Sequence, residues 1–359
     1  MDSFPLSRAE NSQPPGIGRV VSLTSGCAWN NLGRNVVFAD HSLRPVAIFG
    51  DTGFPDDDES SQFDLDIHAV IELADTGAVA VLNHFGLLRI FAPPWSREPG
   101  PVPAGPDLGE QRRLEFVEDI ERVVGLGDHL VTSEPRGRRL DGVLITEPLL
   151  SAGDLIVADA AHESFGFVSA LTARSTSEGT GWVALGGEGH VRVVEADRGH
   201  LGTTRWESSV DFLVAVLIES GSSLWAAGSA SGGADVDDYR WDQLKGGGLA
   251  QFDLANGAVL ASARFGEDLA WGSGGVPMAL VDDVPCGVGR RGELHVLPAG
   301  AAVTTRLTTE VATRPLGIAH AAVVSDQLVV GFNRGGYQLH VTPVPVLSKL
   351  MRNLPLHRV

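Results

Sequence analysis

Trp182-Val183-Ala184-Leu185, a turn at Gly189, then His190-Val191-Arg192-Val193-Val194: this stretch reads as one β-hairpin, and it sets the template for the rest of the chain. A β-rich run ends at a glycine, and the next run alternates apolar and polar residues, as a strand with one buried face does. Glycine suits the turn because two twisted strands joined tightly need a residue with positive φ. Three further segments repeat the pattern. Val79-Ala80-Val81-Leu82 turns at Gly86 into Leu87-Leu88-Arg89-Ile90-Phe91. Cys286-Gly287-Val288 turns at Gly292 into Glu293-Leu294-His295-Val296-Leu297, and Leu328 to Phe332 turns at Gly335 into Tyr337 to Val341.

Looser copies fill the gaps. Asn35 to Phe38 turns at His41-Ser42 into Pro45 to Phe49, and His129 to Thr132 passes Gly137 and Gly142 before Val143-Leu144-Ile145. Leu224 to Gly228 resumes, after an insertion, at Gly248 to Phe252. The turn positions Ser42, Gly86, Gly142, Gly189, Gly248, Gly292 and Gly335 lie 43 to 59 residues apart. That is the period of a four-stranded repeat. Runs rich in Gly, Ala and Val precede most hairpins: Ile67–Ile71, Phe165–Val168, Phe212–Val216, Val276–Leu280 and Gly317–Ala319. They suit inner strands crowded near an axis, while Thr203–Trp206 and Val303–Leu307 suit outer strands. Helical periodicity is confined to Leu347–Leu356, which excludes barrels and doubly wound sheets with helices between strands. The expected fold is all-β: a seven-bladed β-propeller of four-stranded antiparallel blades, with six or eight blades as alternatives. Residues 1–16 read as a flexible N-terminal segment, 17–346 as the propeller and 347–359 as a tail or short helix. Ile17–Leu23 is the run expected to complete the last blade.

Gly247-Gly248-Leu249-Ala250-Gln251-Phe252-Asp253-Leu254-Ala255-Asn256-Gly257-Ala258-Val259-Leu260 is similar to the ending of a quinoprotein-type repeat, where an Asp-bearing strand and a glycine turn precede the outer strand. The chain thus resembles the broad propeller superfamily of WD-repeat-like and quinoprotein-like repeats, without a specific family. WD repeats end a strand in Trp-Asp after an upstream Gly-His; here Trp241-Asp242 falls in a loop and Gly199-His200 stands alone. Nothing corresponds to the calcium- and pyrroloquinoline-binding residues of quinoprotein enzymes, so the resemblance implies no cofactor.

The formal charge of −18 repels phosphate backbones and anionic headgroups, so nucleic acid and membrane surfaces are not the expected partners. Met1 to Pro5 show no basic or apolar leader, and no run reaches the ~18 apolar residues of a membrane span. A cytoplasmic protein is the expectation. Cys27 and Cys286 sit in apolar strand contexts and read as buried, reduced thiols.

Three groups of residues carry candidate chemistry. The insertion Ser229–Lys245 holds Asp235, Asp237, Asp238, Tyr239, Trp241 and Asp242, an acidic run beside two aromatics on a loop, where binding residues concentrate. Asp235-x-Asp237 has the first spacing of a calcium loop, but the glycine and the terminal Glu are missing. Arg290, Arg291 and Arg334 fall in hairpin turns and would form a basic rim for an acidic or phosphorylated partner. Asp66, Asp119 and Asp211 lie at inner-strand entrances; with His68 they would make a metal site for lactone or ester hydrolysis, using a divalent cation such as calcium. No serine-nucleophile elbow and no phosphate loop occurs. The first expectation is therefore a non-catalytic scaffold that binds protein partners through its faces and the 229–245 loop. The metal-dependent hydrolase is the alternative.

Overall fold

The structure, a computed structural model, describes residues 20–30, 36–49, 67–72, 77, 79–83, 87–91, 112–113, 122–127, 129–136, 141–148, 168–176, 180–197, 200–230, 247–265, 278–289, 291–297, 301–308, 310, 319–332 and 338–354. These form antiparallel meanders, in two compact units. One comprises 19–183 with 194–203; the other includes 184–193 and 204–359.

In the first unit, β1 (Val20–Leu23), β2 (Gly26–Asn30), β3 (Val36–Ala39) and β4 (Pro45–Phe49) make a four-stranded sheet in chain order. A second comprises β5 (Ile67–Glu72), β6 (Val79–Asn83), β7 (Leu87–Phe91) and β8 (Arg112–Arg113). The third runs β9 (Arg122–Leu126), β10 (His129–Arg136) and β11 (Asp141–Pro148). Alternation fixes which residues share a face: Ala28, Val36, Phe38, Val70, Val79 and Val81 pack as one apolar cluster. The Glu72 carboxylate accepts the Thr24 N–H at 2.8 Å, tying the β1–β2 turn to β5.

Next come β12 (Ala170–Ser175), β13 (Thr180–Gly186), β14 (Glu188–Asp197), β15 (His200–Ser220), β16 (Ser223–Ala230), β17 (Gly248–Asp253) and β18 (Val259–Arg264), which follow one another in a seven-stranded sheet. β15 has 21 residues, yet it pairs with β16 only from Phe212 onward. Its earlier half carries Trp206, whose buried indole N–H donates to the Leu254 carbonyl at 2.8 Å and whose ring stacks on Phe252 at 5.7 Å. The second unit then adds β19 (Met278–Val281), β20 (Val284–Val288), β21 (Leu294–Val296) and β22 (Thr305–Arg306) as one sheet. The last sheet is β23 (Ala319–Val324), β24 (Gln327–Phe332) and β25 (Gln338–Pro343), and helix α1 (Val344–Arg352) follows it. Leu347 of α1 is fully buried in the cluster of Val281, Cys286, Val288 and Leu328, a burial that contributes about 2 kcal/mol.

Several sequence expectations change. Val20–Leu23 pairs with β2, Val20 opposite Trp29 and Leu23 opposite Gly26, so this run opens the first sheet and does not complete the last one. Gly142 and Gly248 are strand residues, paired with Pro135 and Arg264, and mark no turn. Of the strand expected at Phe165–Val168 only Val168 lies within the described residues, and it precedes β12, which begins at Ala170. The short helix begins at Val344, three residues before the expected Leu347.

Candidate functional site

Among the described residues, the β20–β21 turn holds a connected group of charges. Glu293 and His295 are both buried, at 4% and 1% exposure, two residues apart and hence on one face of the chain. The Glu293 carboxylate accepts the Arg291 N–H at 3.0 Å through Oε2. Its Oε1 lies 3.5 Å from His295 Nε2 and 3.9 Å from Arg306 Nη2. Gly289 makes room for it, since a Cβ there would stand 2.2 Å from Oε1. The Arg291 guanidinium reaches Glu310 at 2.9 Å, and Arg306 reaches the same carboxylate at 3.5 Å. Arg291, chiefly through its hydrogen bond, holds the Glu310 carboxyl below its ordinary range, with Arg306 adding to the effect. Two arginines face two carboxylates, so this charge is spent on holding the turn in shape. The sequence reading picked out Arg291 here and missed Glu293, His295, Arg306 and Glu310. Their signal was the alternation Glu293-x-His295 within a hairpin that already stood out for its glycine.

The acidic insertion leaves the scaffold between β16 and β17. β16 runs on through Ser229 and Ala230, paired with Leu213 and Phe212, so the loop starts later than the expected Ser229. Its base is pinched by backbone contact. A Cβ on Gly228 would stand 1.6 Å from the Leu213 carbonyl oxygen, one on Gly247 1.8 Å from that of Gly228, and one on Gly248 2.1 Å from the Phe212 ring. Only glycine allows this approach, and the Phe265 N–H closes it on the Gly247 carbonyl at 2.9 Å. Asp235, Asp237, Asp238, Tyr239, Trp241 and Asp242 lie outside the described residues, as do Arg290 and Arg334.

Of the expected metal ligands, Asp66 and Asp119 also lie outside the described residues. His68 occupies β5 at the point where its register with β6 shifts, between Ile67 and Ala69. Asp211 is an exposed residue of β15 whose carboxylate is engaged by Arg264 at the end of β18. Among the described residues, no three His, Cys, Asp or Glu side chains are grouped to hold a metal ion. Cys27 and Cys286 are free and buried, as expected.

No family model matches the chain, and no curated protein matches it either. Solved structures do. The Myceliophteria thermophila Cps50 (Swd1) β-propeller domain is similar at a TM-score of 0.60 and 10% identity, over 92% of this chain and 98% of that one. The Neurospora crassa Pan2 WD40 domain gives 0.57 at 10% identity, over 92% and 90%. A chain of the mitotic checkpoint complex gives 0.58 at 13% identity, over 96% of each chain. The fold is a β-propeller. At these identities the likeness extends to the course of the propeller chain and not to its chemistry. Among the described residues of the propeller, no helix is long and apolar enough to cross a membrane.

Proposed function

We propose that this chain is a non-catalytic propeller scaffold that recruits protein partners. The observation that carries the reading is the fixed base of the 231–246 insertion. Gly228, Gly247 and Gly248 let three backbones meet there, so the loop leaves a stiff platform. Loops set on rigid sheets are where recognition residues concentrate. Asp235, Asp237, Asp238 and Asp242 would meet a basic partner surface, with Tyr239 and Trp241 as anchors. The fold likeness supports the same reading, because one similar structure is itself a chain of a multiprotein complex.

The same reading sets the blade count at seven. The seven-stranded sheet counts as two blades joined through β15, one ending near Val210 and the next starting at Phe212, where pairing with β16 begins. The remaining sheets among the described residues supply five. The propeller then ends with β25, before α1, in a cytoplasmic protein.

The test is affinity capture from the source cells with the full chain and with the Trp241→Ala and Asp237→Asn/Asp238→Asn variants. One reproducible partner, lost in the variants, is expected. A stoichiometric divalent ion found by elemental analysis, with ester hydrolysis lost in Asp211→Asn, would overturn the scaffold reading.

A further inference from the structure

Helix α1 is attached differently from the strands beneath it. Each strand is held by a ladder of backbone hydrogen bonds, but α1 has nine residues, fewer than the ~12–15 an isolated helix needs to persist in water. Docking alone keeps it folded. Val344, Met351 and, just past its end, Leu354 pack partly buried on the cluster beneath it, and three further contacts fix its place. Leu347 is fully buried in the cluster of Val281, Cys286, Val288 and Leu328. The Val344 N–H donates to the Asp326 carbonyl of the β23–β24 turn at 2.7 Å. The Ser348 hydroxyl, 7% exposed as a residue, donates to the Asp282 carboxylate of the β19–β20 turn and lies 2.8 Å from the Val344 carbonyl oxygen. Asp282 and Asp283 form that two-residue turn with φ of 50° and 62°, so the acceptor has a fixed position. No side chain caps the start of the helix, which opens at Pro343.

We infer that α1 is a detachable strap across two hairpin turns, latched by Ser348 on Asp282. An element docked by side chains, with one backbone hydrogen bond to the turns beneath it, can open without unfolding the rest of a molecule. Once released, a helix this short unravels, so opening is all-or-none. It uncovers the apolar cluster around Val281 and Leu328 and brings water to Cys286. The occupant of that groove is α1 itself, and the inference stands apart from the scaffold reading, which uses the 231–246 insertion.

The experiment uses the full chain and its own thiols. Cys286 reports on the cluster beneath the strap, and Cys27, buried in the first sheet, serves as the internal reference. Labelling by a small thiol reagent is followed at both cysteines by peptide mass spectrometry. Ser348→Asp sets a carboxylate against Asp282, and like charges at contact repel. Labelling of Cys286 should accelerate by roughly tenfold or more while that of Cys27 stays unchanged. Adding Asp282→Asn should return the rate toward that of the native chain, because the repulsion is gone. If Ser348→Asp fails to fold, Ser348→Ala gives a milder form of the same result. Acceleration at both thiols together would make α1 part of the global core. No acceleration at Cys286 would show that the latch holds nothing. Either result overturns the strap.

Discussion

Gly292 has φ of 82°, a backbone setting that a β-branched side chain resists. Gly292→Val should cost about 1–3 kcal/mol, read as a lower thermal midpoint; an unchanged midpoint would contradict the turn. The cysteines give a pH prediction. Burial pushes both thiols from the ordinary 9.0 up to about 12, and the Asp40 charge adds to the effect at Cys27. The unfolded chain releases these protons near pH 9 and the folded chain only near 12. The stability they contribute is therefore whole below pH 9 and is lost as pH rises through that window. Urea midpoints should fall between pH 9 and about 11, and fall less in a Cys27→Ala/Cys286→Ala variant. Sequence reading was sound for Gly292, where φ is positive and no strand runs; Gly189 has positive φ at the start of β14, while Gly142 and Gly248 lie in strands and are not among the positive-φ residues. A glycine can mean a turn or a close approach of backbones. The letter is the same.

Among the strands, β15 shows which contacts carry weight. Trp206→Ala would remove a buried ring stacked on Phe252 and orphan the Leu254 carbonyl, at a cost of about 3–5 kcal/mol in equilibrium unfolding. Arg264→Ala, by contrast, breaks an ion pair whose side chains are 61% and 68% exposed, and should change stability by less than ~1 kcal/mol. A large loss there would mean the Asp211 carboxylate matters beyond its exposed pairing. The strands were legible from alternation, but the most regular hairpin signal was passed over. Two-residue connections precede the second strand at Thr24-Ser25, Gly221-Ser222, Asp282-Asp283 and Ser325-Asp326. Such short polar turns fix register more tightly than the glycine-bearing loops of variable length that follow.

For the whole chain, the scarcity of helix and the recurring hairpins were enough to reach the propeller, whereas the sites were largely not legible. Recognition on such a fold depends on loops, and loop residues carry no periodicity to read. Asp211 illustrates this: its place at an inner-strand entrance suggested a metal ligand, and only the packing of β18 brings Arg264 onto it. The buried Glu293 and His295 escaped notice because a hairpin pattern does not reveal which of its polar residues turn inward. The account rests on the sheets packing radially as blades about one axis. A crystal structure of the full chain tests it most directly. Seven blades, with β15 passing from one to the next at Asp211, is the predicted result; sheets stacked face to face as separate sandwiches would contradict it.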